Sequence, residues 1–150
     1  MHFGILIKSY VEADFSTEDW YEKLEAAGYY QGKKPLFLWE AVILYLSVTD
    51  VRYTLRELKE HTAPRSIVYA DIYNDSLVTA EHYKGMKTQS KTLKVTGEEI
   101  GFSLDFSSSY ENTFKSFLES ENTSMGDAYY MGSKTENGVF MVVAEVMLAA

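Results

Sequence analysis

The chain has 150 residues, no cysteine and a net charge of −8, with 46% apolar and 15% aromatic residues. This excludes disorder, disulfides, thiol chemistry and Cys-ligated zinc, and it is enough chain for one domain (1–150) with a real core. No apolar run nears the ~20 residues of a membrane helix, and Met1-His2-Phe3-Gly4 lacks the pattern of a signal peptide, so a cytoplasmic protein without a membrane partner is expected.

Phe3, Ile5 and Ile7 alternate and predict a first strand. A helix follows, with Ser16 as N-cap, Asp19 at the capping-box position and Phe15 and Trp20 placed as a staple. Trp20, Leu24 and Ala27 share its inner face, and Gly28 ends it. Tyr29 and Tyr30 then open either a short hairpin or a loop into a long strand over 37–47. Thr49 caps a second helix with Val51, Leu55 and Leu58 as its stripe, stopped at Ala63-Pro64. Ile67 to Tyr73 reads as another strand, closed by Asn74-Asp75.

The segment Leu77 to Tyr83 suits a short helix or a strand equally. Lys84, Lys87, Lys91 and Lys94 form the one basic cluster, without an aromatic among them, so no nucleic-acid partner is expected. Leu93 and Val95, a Thr96-Gly97 turn, and alternating Ile100, Phe102, Leu104 and Phe106 predict a hairpin. Ser108 and Glu111 cap a third helix lined by Tyr110, Phe114, Phe117 and Leu118. Asn137-Gly138 marks a hairpin turn before Val139 to Leu148, which is apolar on both faces and must be internal or at an interface. The order predicts an α+β fold, a ferredoxin-like sandwich with extra C-terminal hairpins and one helix; without the first hairpin it becomes a small doubly wound layer.

The sequence carries no nucleophile elbow and no glycine-rich phosphate loop, and His2, His61 and His82 lie too far apart for a ligand set. No metal and no cofactor are expected. The carboxylates say more. Glu40, Asp71 and Glu145 each sit at or within an apolar strand, where an ion is costly unless it is paired or holds a ligand. Each alone suits an edge position or an ion pair. Two of them with Tyr29 or Tyr30 would form an acidic aromatic pocket suited to a cation.

The opening strand Phe3-Gly4-Ile5-Leu6-Ile7-Lys8-Ser9-Tyr10, the Gly28-x-Tyr30 turn, Glu40, Asp50, Ile67-Val68-Tyr69 and Tyr83-Lys84-Gly85 together resemble a family of phage enzymes that degrade S-adenosylmethionine. The resemblance covers residues 3 to about 85 and implies a GlnB-like homotrimer with sites between subunits, acting in the host-cell cytoplasm. It implies a lyase that forms methylthioadenosine and homoserine lactone from S-adenosylmethionine. On that footing Glu40 and Tyr30 are the catalytic candidates, with Tyr29, Asp71 and Glu81 binding substrate; Asp75 competes with Asp71 and Glu81 for the second carboxylate. The competing expectation is a non-enzymatic acidic interaction module, such as a virion component, an immunity protein or an inhibitor.

Overall fold

The computed structural model describes residues 10–15, 17–30, 34–78, 101–136 and 138–148. Over these the chain is α+β, a four-stranded mixed sheet with helices packed against one face, compatible with a ferredoxin-like α-β sandwich. The elements are α1 (Trp20–Ala26), β1 (Leu36–Trp39), a 3-10 turn (Ile43–Tyr45), α2 (Val48–His61), β2 (Ile67–Tyr73), α3 (Asp75–Val78), α4 (Tyr110–Ser120), β3 (Thr123–Met131) and β4 (Met141–Leu148). The strands lie in the order β1-β2-β4-β3; β1 and β2 are parallel and the other two pairs antiparallel. The expected strand over 3–7, the turn at 96–97 and Glu81 lie outside the described residues.

Both early helices start on a different cap from the one expected. Asp19 caps α1, accepting from the amides of Tyr21 and Glu22 at 3.1 and 3.0 Å; the expected cap, Ser16, lies outside the described residues. Ser47, not Thr49, caps α2 through a reciprocal box with Asp50. In each case several cap-competent residues stand close together in the sequence, so the type of residue alone does not fix which one caps. The end of α1 is as expected: Gly28, at φ +96°, donates to Glu25 O, and the next amide, of Tyr29, returns to Leu24 O. Tyr29 and Tyr30 belong to no strand and β1 begins at Leu36, so the described residues show no first hairpin; residues 31–33 of the expected turn lie outside them.

The long strand expected over 37–47 is also corrected. β1 stops at Trp39, Ala41 takes φ +56°, and the apolar run beyond it curls into the 3-10 turn, burying Ile43 and Leu46. Short apolar runs carry no period that separates strand from turn. Phe102, Leu104 and Phe106 form no strand either; Leu104 makes one isolated bridge to Asn74. Gly101 packs so close to the 3-10 turn that an added Cβ would lie 2.4 Å from Leu46 O, a backbone atom that cannot swing aside. Gly101→Ala is therefore expected to cost about 1–3 kcal/mol by urea unfolding, although the glycine needs no unusual φ.

One alternation runs through the whole sheet. Val68, Ala70 and Ile72 of β2 and Val142, Ala144, Val146 and Leu148 of β4 face the helices, where they join Trp20, Trp39, Leu55, Phe114 and Leu118 in one buried cluster. β4 is internal, flanked by β2 and β3, as its apolar composition requires. The opposite face carries Leu36, Leu38, Tyr69, Tyr129, Val143 and Met147, all exposed. Glu145 on this face has a structural explanation. β3 bulges between Met125 and Ala128, Glu145 Oε2 accepts from the Asp127 amide at 3.2 Å, and its carboxylate fills the space a side chain at Gly126 would need. Among the described residues no helix is long and apolar enough to cross a membrane.

Candidate functional site

The parallel β1–β2 pair ends in a polar corner. β1 delivers Glu40 and Ala41 at its carboxyl end, and β2, in register one step along, delivers Asp71 just beyond the Trp39–Ala70 pair. Because alternation puts Asp71 and Tyr73 on one side of β2, both stand on the sheet face away from the helices. Asp71 is buried, and both of its oxygens accept the Ala41 amide, at 3.1 and 3.0 Å. The left-handed φ of Ala41 accompanies that contact, and an L residue held there costs on the order of 1–2 kcal/mol. Strain of this size persists where the surroundings over-determine it. Here the Asp71 carboxylate, bonded to the Ala41 amide, does so.

Tyr73 donates its hydroxyl to Asp71 Oδ2 at 3.2 Å. Its phenol is pushed up to about 12, first by burial, then by the Asp71 charge and hydrogen bond, with Tyr45 and Glu40 adding to the effect. Glu40 and Tyr45 are exposed. The corner thus combines two carboxylates and two phenols, one of each held and one of each free to meet solvent. It can attract a cation and accept hydrogen bonds from hydroxyl or ammonium groups. Folding raises the Tyr73 pKa, so its stabilisation is complete below pH 10.0, the ordinary value, and is lost as pH climbs toward about 12. Tyr73→Phe is expected to flatten the fall in urea midpoint between about pH 9 and about pH 11.5; an unchanged fall would show that Tyr73 does not drive it.

Of the candidates read from the sequence, the structure brings Glu40 and Asp71 together. Tyr29 sits on the helix-covered side, packed on Tyr21 and Phe37 with ring centroids 5.8 and 6.2 Å away, and burial raises its pKa, with the Glu25 charge adding to that. Tyr30 is 67% exposed ahead of β1. Sequence reading missed Tyr73 and Tyr45. The first was findable, since residues two apart on a strand share a face; the second was hidden by the assignment of 37–47 to a strand. It weighed His61 only against the other histidines and missed its grouping with Glu57 and Glu60 on one turn of α2, where the three ligand atoms lie within 4.8 Å of one another. His61 pairs with Glu57 at 3.4 Å and stacks on Tyr21 at 4.1 Å, while the Tyr21 hydroxyl donates to His61 O, so the group fastens α1 to α2.

A family model described as leucine carboxyl methyltransferase matches residues 6–59. The match spans α1, β1, the Glu40–Ala41 corner and most of α2, a little over a third of the chain. No curated protein matches the chain. The match corrects the expected resemblance to S-adenosylmethionine-degrading phage lyases, because Gly28-x-Tyr30, Glu40 and Asp50, which carried it, fall inside a stretch that fits a methyltransferase model. Those motifs are short and occur wherever a helix, a turn and a strand follow one another. The lyase reaction and the homotrimer lose their basis together, and nothing found supports the non-enzymatic interaction module.

Proposed function

We propose that this chain, as a single domain, binds S-adenosylmethionine at the Glu40–Asp71 corner and serves methyl transfer. The observation that carries the reading is the leucine carboxyl methyltransferase match over residues 6–59, which includes β1 and the Glu40–Ala41 turn. The donor set supports it. S-adenosylmethionine is a sulfonium with an ammonium group and ribose hydroxyls, and when bound it supplies a methyl group activated by positively charged sulfur. Asp71 is already fixed by the Ala41 amide, so it accepts a hydrogen bond from such groups without reorganising. Glu40, exposed beside it, draws the cation in, and Tyr45 offers a ring that a sulfonium can approach. A carboxyl acceptor, the kind the matched family is named for, is already ionised at neutral pH. No general base is then required of the corner, and its task is orientation.

The test is calorimetric titration of the purified chain with S-adenosylmethionine and with its neutral demethylated product, S-adenosylhomocysteine. Binding of both is expected, tighter for the cation, with that preference reduced in Glu40→Gln. No heat from either at millimolar concentration would sink the proposal. Binding without any preference for charge would move the site away from this corner.

A further inference from the structure

The sheet face turned away from the helices is apolar, where a water-facing side is ordinarily polar. Leu36 and Leu38 of β1, Tyr69 of β2, Val143 and Met147 of β4 and Tyr129 of β3 are exposed on it, Leu38 at 72% and Tyr129 at 70%. The register makes them neighbours: Leu38 stands beside Tyr69, Tyr69 beside Glu145, and Val143 beside Tyr129. The sequence of β4, apolar on both sides but for Glu145, is that of a strand covered on both faces, yet Val143 and Met147 stay exposed. Contiguous apolar surface of this kind marks an interaction site.

Glu145 decides what can cover it. Alternation along β4 sets this carboxylate between Val143 and Met147, inside the apolar patch. The four strands carry no lysine or arginine, and their three charged residues, Asp71, Asp127 and Glu145, are all acidic. Among the described residues none of the three forms an ion pair. The Asp127 amide that donates to Glu145 does not cancel its charge. A wholly apolar cover would strip water from that charge and give it no counterion. A second copy of this chain would set acids against acids. We infer that this face docks an amphipathic helix of a partner protein, whose apolar stripe covers the patch and whose Lys or Arg meets Glu145. A helix is the element that ordinarily covers a sheet face, as on the other side of this sheet. The patch borders the acidic corner, Asp71 standing beside Val143, but the inference does not rest on S-adenosylmethionine binding.

The probe is a fluorescent synthetic helix of repeated Leu-Lys-Lys-Leu-Leu-Lys-Leu, which has an apolar stripe flanked by lysines. Its control is the same residues in an order that breaks the stripe. Anisotropy with the full chain reads binding, and the striped peptide is expected to bind at least about tenfold more tightly than its control. Leu38→Thr and Tyr129→Thr keep strand-forming residues, so each is expected to weaken binding about tenfold with little change in melting temperature. Glu145→Gln keeps an acceptor for the Asp127 amide and is expected to weaken binding about fivefold. Glu22→Gln, the same loss of charge on exposed α1 surface, is expected to change it by less than about twofold. Equal binding of the two peptides, or none of either, would overturn the assignment. So would full affinity in both threonine variants, or a Glu145→Gln effect no larger than that of Glu22→Gln. A dimer of the chain alone in the ultracentrifuge, dissolved by Leu38→Thr, would make a second copy the occupant and overturn it too.

Discussion

Trp20→Ala is expected to destabilise the protein by about 3–5 kcal/mol, while Glu22→Ala, two positions along the same helix, changes stability by less than about 0.5 kcal/mol. The indole is buried against Phe15 at 5.6 Å and Tyr21 at 5.9 Å, and it belongs to the cluster that joins α1 to α2 and the sheet. Truncation removes that buried area and leaves a void beside an existing cavity, which the surroundings cannot close without moving α1. Glu22 is exposed, and its amide donates to Asp19 whatever its side chain is. Urea unfolding of the two variants decides the matter. Similar midpoints would mean that α1 does not pack by this face.

Asp71→Ala is expected to cost about 2–3 kcal/mol and to abolish binding of S-adenosylmethionine. The carboxylate serves the Ala41 amide and the Tyr73 hydroxyl at once, so its loss frees a strained turn and a half-buried phenol together. Asp71→Asn separates the two effects. The amide keeps one acceptor for Ala41 but deletes the charge, so stability is expected to fall less than with alanine while affinity falls as far. Unfolding midpoints report the first and titration heats the second. If Asp71→Ala unfolds within about 0.5 kcal/mol of the parent, the corner stands without its carboxylate and its proposed rigidity is lost.

The local signals were legible where one residue type had one use. Ile67 to Tyr73 is rich in β-branched and aromatic residues between Pro64 and Asn74, and it is a strand. Phe114 and Leu118 declare the inner face of α4 at the helical period. What failed was settled by distant partners. The turn at Ala41 depends on Asp71, thirty positions away, so nothing within 37–47 distinguishes a strand from a strand that breaks. Ser109 rather than Ser108 precedes α4, without a side-chain capping bond, because tertiary packing of the helix outweighs its cap. The site was half-visible for the same reason. Glu40 and Asp71 stood out as acids set in apolar runs, but their union and the phenols around it required the fold.

The placement of β4 in the sheet bears on how this chain must assemble. Its pairing with β3 sets Met131 against Met141, ten positions away, whereas its pairing with β2 sets Ile67 against Met147 and Tyr73 against Met141. The hairpin closes on neighbouring residues, while the other ladder joins residues 68 to 80 positions apart and recovers its loop-closure entropy only once they meet. The acidic corner is finished by the parallel docking of β1 on β2, a contact that also spans α2. The long-range β2–β4 ladder is therefore expected to slow folding more than the β3–β4 hairpin, and the β4 edge destined for β2 stays unpaired until that ladder forms.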